Sequence, residues 1–447
     1  MQCEIKASDF GDNFFWGVST AAYQIEGAYN MDGKGLSIWD TFSARKGKIK
    51  AGHNGNVACD YYNRFSTDID LISQIGISNY RFSIAWSRLL PQGIGVINQK
   101  GIDFYKHIID ACLKKNITPW ITCYHWDLPQ ALQNKGGWTN REVVNWFSEY
   151  VELCVRNFGA DAKNWMILNE PLVFTGAGYF LGVHAPEKKG PGNFLSAVHH
   201  AALCQADGGR IIKQLLPDSF VGTTFSCAPV YPITPEEKNV KAAARVDAML
   251  NRLFIEPLLG MNYPIKELPF LNRLEKYFKD GDDKRVQFDF DFIGVQNYTR
   301  EVVKHSMLTP FLRAQLIKAE KRNVATTAMG WEIFPQSIYA ILKQFAKYKN
   351  IKQFIVTESG IGLHDVVEDG VIHDAQRISY LSAHLENILV AKREGIPVNG
   401  FFNWTLLDNF EWAEGYHPRF GLVHVDFETQ QRTLKNSAYW WKRFLDI

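Results

Sequence analysis

The sequence of 447 residues lacks the features of several classes of protein. No apolar run approaches ~18 residues, the length that a membrane-spanning helix needs, and residues 1–11 contain no apolar signal-peptide segment. The 49 basic and 47 acidic side chains give a formal net charge of +2, which provides no electrostatic attraction for nucleic acid or an anionic membrane. We therefore expect neither as a partner, a cytoplasmic location, and either a monomer or a homo-oligomer.

Paired cysteines and common nucleotide or metal motifs are missing as well. The cysteines are scattered and contain no C-x-x-C pair, so buried thiols in a reducing compartment are favoured over disulfides or a zinc site. H-E-x-x-H, P-loop and G-x-G-x-x-G motifs do not occur, and the rings of adjacent His199 and His200 diverge on a helix. The sequence predicts no metal and no cofactor. The cysteines are Cys3, Cys59, Cys112, Cys123, Cys154, Cys204 and Cys227.

The chain does contain a regular alternation of short apolar runs and longer amphipathic segments. Such alternation indicates a parallel sheet covered by helices. Eight units predict an α/β fold with one domain over residues 1–447, a (β/α)8 TIM barrel with extended loops at the C-terminal face of the strands. An open doubly wound sheet is the alternative, but its glycine fingerprint is absent. Strands are predicted at 14–22, 80–86, 118–124, 164–171, 220–226, 290–295, 354–357 and 398–404. Helices are predicted at 61–75, 101–115, 139–158, 193–216, 238–256, 335–348, 375–393 and 437–445, and residues 300–330 are predicted to be irregular.

Two of the predicted strands end in a glutamate. The apolar run 165–168 continues into Asn169-Glu170-Pro171, where Pro171 has no N–H to donate to a sheet. The apolar run 354–356 leads through Thr357 to Glu358-Ser359-Gly360. Because the active site of a (β/α)8 barrel lies at the carboxyl ends of its strands, these two glutamates are predicted to face one pocket.

Other polar and aromatic residues come at or after the strand ends and belong to the same rim. Buried polar groups cost free energy unless each has a partner, so a collection of them at one rim indicates a binding site. Tryptophan suits a sugar site because its ring stacks on the sugar face while its N–H reaches a hydroxyl. By contrast, Trp16, Trp86, Trp120 and Trp165 lie within or beside strands and are interpreted as core. The rim residues are Gln24, Arg81, His125, Asn169, Tyr298, Trp404, Glu411 and Trp412.

Paired carboxylates beside aromatic side chains are what glycoside hydrolysis needs. We assign Glu358 as the ionised nucleophile, with Arg81 as the nearby cation that lowers its pKa. We assign Glu170 as the acid and then the base, with a pKa raised by its apolar surroundings and the neighbouring negative charge. Asn169 is assigned as donor to the sugar 2-hydroxyl. Either glutamate alone is also compatible with a buried structural carboxylate, whereas the pair with Arg81 favours catalysis.

From about residue 14 to its C-terminus, the chain resembles glycoside hydrolase family 1, the β-glucosidase-like retaining enzymes. The matching segments are FWG at 15–17, YQIEG at 23–27, YRFSIAWSR at 80–88, YHWDLP at 124–129, LNEP at 168–171 and DNFEW at 408–412. The resemblance implies Glu170 as acid/base, Glu358 as nucleophile, Tyr298 as its hydrogen-bond partner and Trp331 as an aglycone platform. It also implies a substrate-binding set of Gln24, His125, Asn169, Trp404, Glu411 and Trp412, with Phe420 near C6, and we include Trp126 from the same motif as His125.

Two segments depart from the family pattern. Glu358-Ser359-Gly360 stands where Glu-Asn-Gly is usual, and Gln296-Asn297-Tyr298 stands where Asn-Tyr-Tyr is common, so only Tyr298 is carried over there. Two retained features narrow the substrate class. Glu170 replaces the glutamine of thioglucoside-cleaving relatives, which indicates O-glycosides, and Glu411-Trp412 resembles the members that act on neutral sugars.

The sequence therefore predicts a retaining exo-β-glycosidase. A β-glucosidase is favoured, which hydrolyses terminal non-reducing β-D-glucosyl residues of small-molecule β-glycosides by double displacement. Galactosyl and fucosyl residues are further candidates, because one contact of the Glu411 type serves several epimers. Two alternatives use the same pocket: a transglycosylase, and a catalytically silent sugar-binding protein.

Overall fold

Eight parallel strands close into a barrel in the computed structural model, which describes residues 5–445. Neighbouring strands follow the chain order, and the first strand closes the ring by pairing with the eighth. The predicted (β/α)8 fold is confirmed. The barrel strands are β1 Phe15–Ser19, β2 Asn79–Ser83, β3 Thr118–Tyr124, β4 Asn164–Asn169, β5 Phe220–Ser226, β6 Phe292–Gln296, β7 Phe354–Ser359 and β8 Val398–Trp404.

Helices follow the strands and cover the outside of the barrel. In the first long helix, Ile69, Ile72 and Ile75 face the core, and Gly76 ends the helix in a left-handed conformation with φ 85°. The long helices are α1 Tyr61–Ile75, α2 Gln99–Lys114, α3 Val143–Phe158, α4 Pro191–Leu215, α5 Glu237–Asp247, α6 Gln336–Phe345, α7 Ala375–Arg393 and α8 Asn436–Phe444. Short helical segments are Ala7–Phe10, Ala22–Ile25, Ile38–Ser43, Lys50–Gly52, Trp86–Leu89, Gln130–Gln133, Gly137–Thr139, Pro171–Gly176, Ala177–Leu181, Ala248–Arg252, Ile255–Leu258, Pro269–Tyr277, Asp282–Arg285, Ala319–Arg322 and Trp412–Glu414.

Aromatic rings fill the amino-terminal end of the barrel. The Trp120 ring centroid lies 5.0 Å from that of Phe402 and 5.8 Å from that of Phe292. Gly17 faces this layer, and a Cβ there would lie 2.2 Å from the Phe402 ring. This end of the barrel is therefore closed, and the polar strand ends are left to form the opposite face. Trp16, Trp86, Trp120 and Trp165 are all buried, as predicted.

Two predictions about the connecting segments are wrong. The excursion at 300–330 contains two strands, Glu301–His305 and Ala314–Leu316, which form a small sheet with Val230–Pro232. This sheet forms because Val303 and Ala314 bury their side chains against α5. The helix predicted at 238–256 is interrupted, since the π-helical segment Ala248–Arg252 separates α5 from Ile255–Leu258. A short two-stranded sheet, Val423–Val425 with Arg432–Leu434, precedes α8.

The predicted thiols and the histidine pair have simple structural surroundings. Six of the seven cysteines are free and buried, and Cys3 lies outside the described residues. His199 Nε2 lies 2.8 Å from Asp282 Oδ2, and His200 Nδ1 lies 2.8 Å from the Trp138 carbonyl oxygen. Within residues 5–445, no group of three or more His, Cys, Asp and Glu is placed to hold a metal ion. No helix in that same range is long and apolar enough to cross a membrane.

Candidate active site

A cavity of about 360 Å³ lies at the carboxyl ends of the barrel strands. Most of the residues predicted from the sequence line it, although they come from the ends of five different strands and the loops that follow them. Arg81, Gln24 and Asn169 do not line the cavity but contact residues that do, and all three are fully buried. The predicted residues in the lining are His125, Trp126, Glu170, Tyr298, Trp331, Glu358, Trp404, Glu411, Trp412 and Phe420.

The Glu358 carboxylate receives donors on both of its oxygens. Gln296 Nε2 donates to Oε1 over 2.7 Å, and the Tyr298 hydroxyl donates to Oε2 over 2.8 Å. The guanidinium of Arg81 forms an ion pair with Oε1. The pairing of β7 with β6 has a register shift between Val356 and Glu358, so the regular ladder is interrupted just before the glutamate. An anionic carboxylate with this set of donors is held in one orientation.

The two glutamates differ in their proton affinity. Burial raises the pKa of Glu358, while Arg81 and Tyr298 act in the opposite direction. Burial and the negative charge of Glu358 raise the pKa of Glu170 well above its ordinary value. Arg81 therefore lowers the pKa of Glu358, as predicted, but the effect of burial is larger and the net pKa lies above its ordinary value. Because Glu170 has the larger rise, Glu358 is the more acidic carboxyl of the pair.

Three residues of the site have left-handed backbone conformations. Glu170 has φ 46° and ψ 66° at the point where β4 passes into the short helix that begins at Pro171, and Trp126 and Trp412 have φ 74° and 46°. Such conformations cost non-glycine residues free energy and occur where the surrounding structure enforces them. The fold thus places these side chains at the expense of local backbone stability.

The inner wall combines flat aromatic rings with polar atoms that have no protein partner. The His125 ring lies 5.9 Å from both Trp404 and Trp412, nearly parallel to each. His125 Nδ1 and Glu411 Oε2 are buried without a hydrogen bond in the described structure. Burial raises the pKa of Glu411 to about 8 and lowers the pKa of His125 well below its usual value. A neutral ligand with hydroxyl groups and an apolar face suits this wall.

Asn169 and Gln24 support the wall from behind. Asn169 Nδ2 lies 3.0 Å from His125 Nε2, and the Trp126 N–H donates to the Asn169 carbonyl oxygen over 2.9 Å. Trp126 therefore contributes its ring face to the cavity. Gln24 Nε2 donates to Asn409 Oδ1 and to the Phe410 carbonyl oxygen, which holds the loop that carries Glu411.

Comparison with known proteins agrees with this geometry. Residues 6–447 match the model of glycosyl hydrolase family 1. The chain belongs to glycosyl hydrolase family 1. It is 44% identical over 438 residues to a 1,4-beta-D-glucan glucohydrolase of Thermotoga neapolitana, covering 98% of both chains. It is 44% identical to Beta-glucosidase A of Thermotoga maritima, covering 97% of this chain and 96% of that one.

A solved structure of a relative shows the same architecture. The β-glucosidase from Thermotoga maritima in complex with deoxynojirimycin has a TM-score of 0.94 and 43% identity, covering 97% of this chain and 98% of that one. The family resemblance seen in the motifs is therefore confirmed. This chain is a family 1 O-glycoside hydrolase of the β-glucosidase type.

In this family 1 enzyme, a second aromatic cluster forms the outer part of the cavity. The Tyr298 ring centroid lies 5.4 Å from that of Trp331 and 6.1 Å from that of Phe420. Phe420 also packs against Trp404 and thus joins the outer cluster to the inner wall. The Tyr298 hydroxyl is engaged by Glu358, so this side chain connects the outer cluster to the paired carboxylates.

Several lining residues of the family 1 enzyme were not predicted. Gln296, whose role was left open, does not itself line the cavity but contacts Glu358, which does, and Asn169. Burial raises the pKa of Glu301 to about 7 and lowers the pKa of His184 to about 4. The Ser226 hydroxyl lies beside Glu170 and offsets part of the rise in its pKa. Among these residues, only Gln296 and Ser226 could have been predicted from the sequence, because each is a polar residue at the end of a strand. The other unpredicted lining residues are Val173, Cys227, Ala228, Leu250, Thr299, Met329, Ala413 and Glu414.

Proposed function

We propose that this enzyme is a retaining exo-β-glycosidase that removes terminal non-reducing β-D-glucosyl residues from oligosaccharides and from aryl or alkyl glycosides. One observation carries the proposal. Glu358, with donors on both oxygens, lines the same cavity as Glu170, whose raised pKa favours its protonated form. An ionised and a protonated carboxyl at one site are the pair that double displacement requires.

In the first step, a Glu358 oxygen attacks the anomeric carbon while Glu170 gives its proton to the departing glycosidic oxygen. The bond to the aglycone breaks and a covalent glycosyl ester forms. Glu170 is then a carboxylate, and it takes a proton from the water that attacks the same carbon. The glycosyl ester breaks, Glu358 leaves as a carboxylate, and Glu170 is protonated again.

The inner wall supports the choice of a terminal glucosyl unit. Trp404 and Trp412 line the cavity and are only 4% and 5% exposed, which supports a confined site for one sugar at a chain end. We propose that His125 and Glu411 on the lining, with Asn169 and Gln24 directly behind them, select its hydroxyls, with Trp126 as part of the wall and Phe420 near C6. Trp331 then supports the aglycone on the outer side. The printed names of the Thermotoga relatives, a glucan glucohydrolase and a β-glucosidase, agree with a glucosyl substrate.

Glu358→Ala tests the nucleophile. Turnover of an aryl β-glucoside should fall by about 10⁴-fold or more, because no covalent intermediate forms. Added azide should restore turnover and give the α-glycosyl azide, since azide attacks from the vacated face. Glu152→Ala, at an exposed site on α3, is the handling control and should match the parent. Full activity of Glu358→Ala without azide would overturn the proposal.

Glu170→Ala tests the acid and base role, and product analysis tests retention. Substrates with good leaving groups should still form the intermediate, which then accumulates because the attacking water has no base. Anomer-resolved NMR on the parent should show β-glucose first, and an α-anomer would contradict retention. The same spectra at high acceptor concentration measure transfer to sugars, and aryl galactosides and fucosides measure the other epimers.

We also propose a cytoplasmic location. Six free, buried cysteines agree with a reducing compartment, where thiols stay unpaired. Cell fractionation with an activity assay provides the test. Activity that separates with a secreted or envelope fraction would contradict the location and would leave the catalytic proposal intact.

A further inference from the structure

Gln296 lies between two groups of the site and contacts both. It ends β6, its side chain is fully buried, and its residue pairs across the sheet with Glu358 of β7. Its amide nitrogen donates to Glu358 Oε1 over 2.7 Å and to Asn169 Oδ1 over 2.8 Å. A primary amide has two N–H bonds, so each acceptor receives one of them. In the described part of the chain, Arg81 is the only other residue whose side chain donates to both of these groups.

The contact with Asn169 determines which way that amide faces. Asn169 Oδ1 accepts from Gln296, from Arg81 and, over 3.1 Å, from the Thr224 hydroxyl. If the Asn169 amide were flipped, its NH2 group would face the N–H groups of Gln296 and Arg81, and donors would face donors. The flipped orientation is therefore excluded. Asn169 Nδ2 is therefore turned toward His125, which lines the cavity. In this orientation Nδ2 keeps a second N–H, which the proposed function assigns to the sugar 2-hydroxyl.

The contact with Glu358 acts on the carboxylate itself. A buried N–H that donates to a carboxylate stabilises the charged form and lowers the pKa. The Gln296 N–H also fixes the position of Oε1, and the Tyr298 hydroxyl fixes that of Oε2. A donor on each oxygen prevents the Glu358 carboxylate from rotating. Arg81 supplies the charge in this arrangement, and Gln296 supplies a neutral donor of defined direction.

We propose that Gln296 is a positioning residue that couples the two halves of the reaction. One N–H keeps Glu358 ionised and oriented, and the other keeps the Asn169 amide directed at the sugar 2-hydroxyl. The proposal rests on the proposed function, because it assigns Glu358 as nucleophile. In this sequence the position departs from the asparagine that is common in the family, and the longer side chain is the one seen to reach both acceptors.

The main test is Gln296→Met, which keeps the length of the side chain and removes both donors. Its effects are read against two matched variants that each remove one hydroxyl. Tyr298→Phe removes a donor to Glu358 and leaves the donors to Asn169 in place. Thr224→Val removes a hydroxyl that contacts Asn169 Oδ1 and the Leu168 carbonyl oxygen, and leaves the donors to Glu358 in place. Two quantities are measured: the acid limb of the pH profile of kcat/KM, and the ratio of kcat/KM between an aryl β-glucoside and its 2-deoxy analogue.

The expected pattern separates positioning from general damage. Gln296→Met should move the acid limb to higher pH, because loss of a donor raises the pKa of Glu358. It should also lower the ratio of kcat/KM between the β-glucoside and its 2-deoxy analogue by about ten-fold. Tyr298→Phe should move the limb alone, and Thr224→Val should lower the ratio alone. A uniform loss in Gln296→Met, with limb and ratio both unchanged, would overturn the proposal.

A second variant protects the test against misfolding. Gln296→Asn has one methylene less, so its amide reaches at most one of the two acceptors and should change only one of the two quantities. If both stay at the parent values in that variant, the coupling is wrong. Failure of the proposed function gives a different result. In that case Glu358→Ala would turn over substrate without azide, independently of the results for the Gln296 variants.

Discussion

At the scale of single residues, the two carboxyls of the site share one chemistry and differ in their neighbours. In the proposed mechanism Glu358 must be ionised to attack, so kcat/KM should fall as the pH drops through its pKa, which burial sets above its ordinary value. In the same mechanism Glu170 must be protonated to assist the departure of the aglycone, so kcat/KM should also fall as the pH rises through its higher pKa. We expect a bell-shaped profile of kcat/KM on an aryl β-glucoside.

The variant Glu170→Ala shows which residue causes which limb of the pH profile of kcat/KM. With a good leaving group, this variant should lose the alkaline limb assigned to Glu170 and keep the acid limb, because Glu170 is neutral over that pH range in the parent. A shift of the acid limb with the alkaline limb unchanged would exchange the roles of the two residues.

The left-handed backbone at Glu170 gives a prediction about stability. Alanine at φ 46° keeps the strain of the parent, whereas glycine adopts this conformation without a Cβ clash. Glu170→Gly should therefore unfold with a free energy about 1 kcal/mol higher than Glu170→Ala. Urea unfolding of the two inactive variants provides the measurement, and equal midpoints would show that the backbone relaxes at this position.

At the scale of elements, the turn after β7 packs against the end of β8. A Cβ at Gly360 would lie 1.9 Å from the Trp404 carbonyl oxygen, so Gly360→Ala must move the strand end that carries Glu358. A displacement of about 1 Å at a reacting group is enough for a loss of about 10²-fold, and we expect kcat/KM to fall by that order. Kinetics on purified, folded protein check it.

The matched control for this prediction is Gly192→Ala in the first turn of α4. A Cβ there would meet its nearest atom, the Tyr277 hydroxyl oxygen, at 3.8 Å, which is ordinary contact. Its kcat/KM should equal that of the parent. A similar loss in both variants would mean that the Gly360 effect does not come from the turn.

Strands and strand ends were predictable from the sequence, because apolar runs of strand length end in polar residues. Glu170, Glu358 and His125 follow from that pattern, and α1, α7 and β3 have the predicted bounds. The small sheet around Val303 was missed because its strands are short and pair only after the barrel exists. Likewise, His184 and Glu301 enter the cavity from loops, and no spacing in the chain relates them to the strand ends. The net pKa of Glu358 depends on burial, which only packing reveals.

At the scale of the whole molecule, buried charges tie the C-terminal helix to the loops of the site. Lys435, directly before α8, is fully buried, and its Nζ lies 2.6 Å from Asp408 Oδ1 while also binding Asp365. Removing one partner of a buried ion pair leaves an uncompensated charge. Lys435→Met should therefore lower the free energy of unfolding by about 3–5 kcal/mol, as measured by urea unfolding.

Lys442→Met on the exposed face of α8 is the control for that prediction. Its free energy of unfolding should stay within about 0.5 kcal/mol of the parent, as expected for a surface substitution. If Lys435→Met is equally mild, then Arg419, which also contacts Asp408, compensates the carboxylate by itself.

The pairing of β1 with β8 has a consequence for folding during translation. Gln24, just after β1, is held by Asn409 and Phe410, which are made some 385 residues later. The wall of the cavity is incomplete on a nascent chain until the residues after β8 have been made, since its two sides are 385 residues apart along the chain. The edge of β1 stays unpaired until β8 emerges, so slow translation of the segment that contains β8 should increase the demand for chaperones.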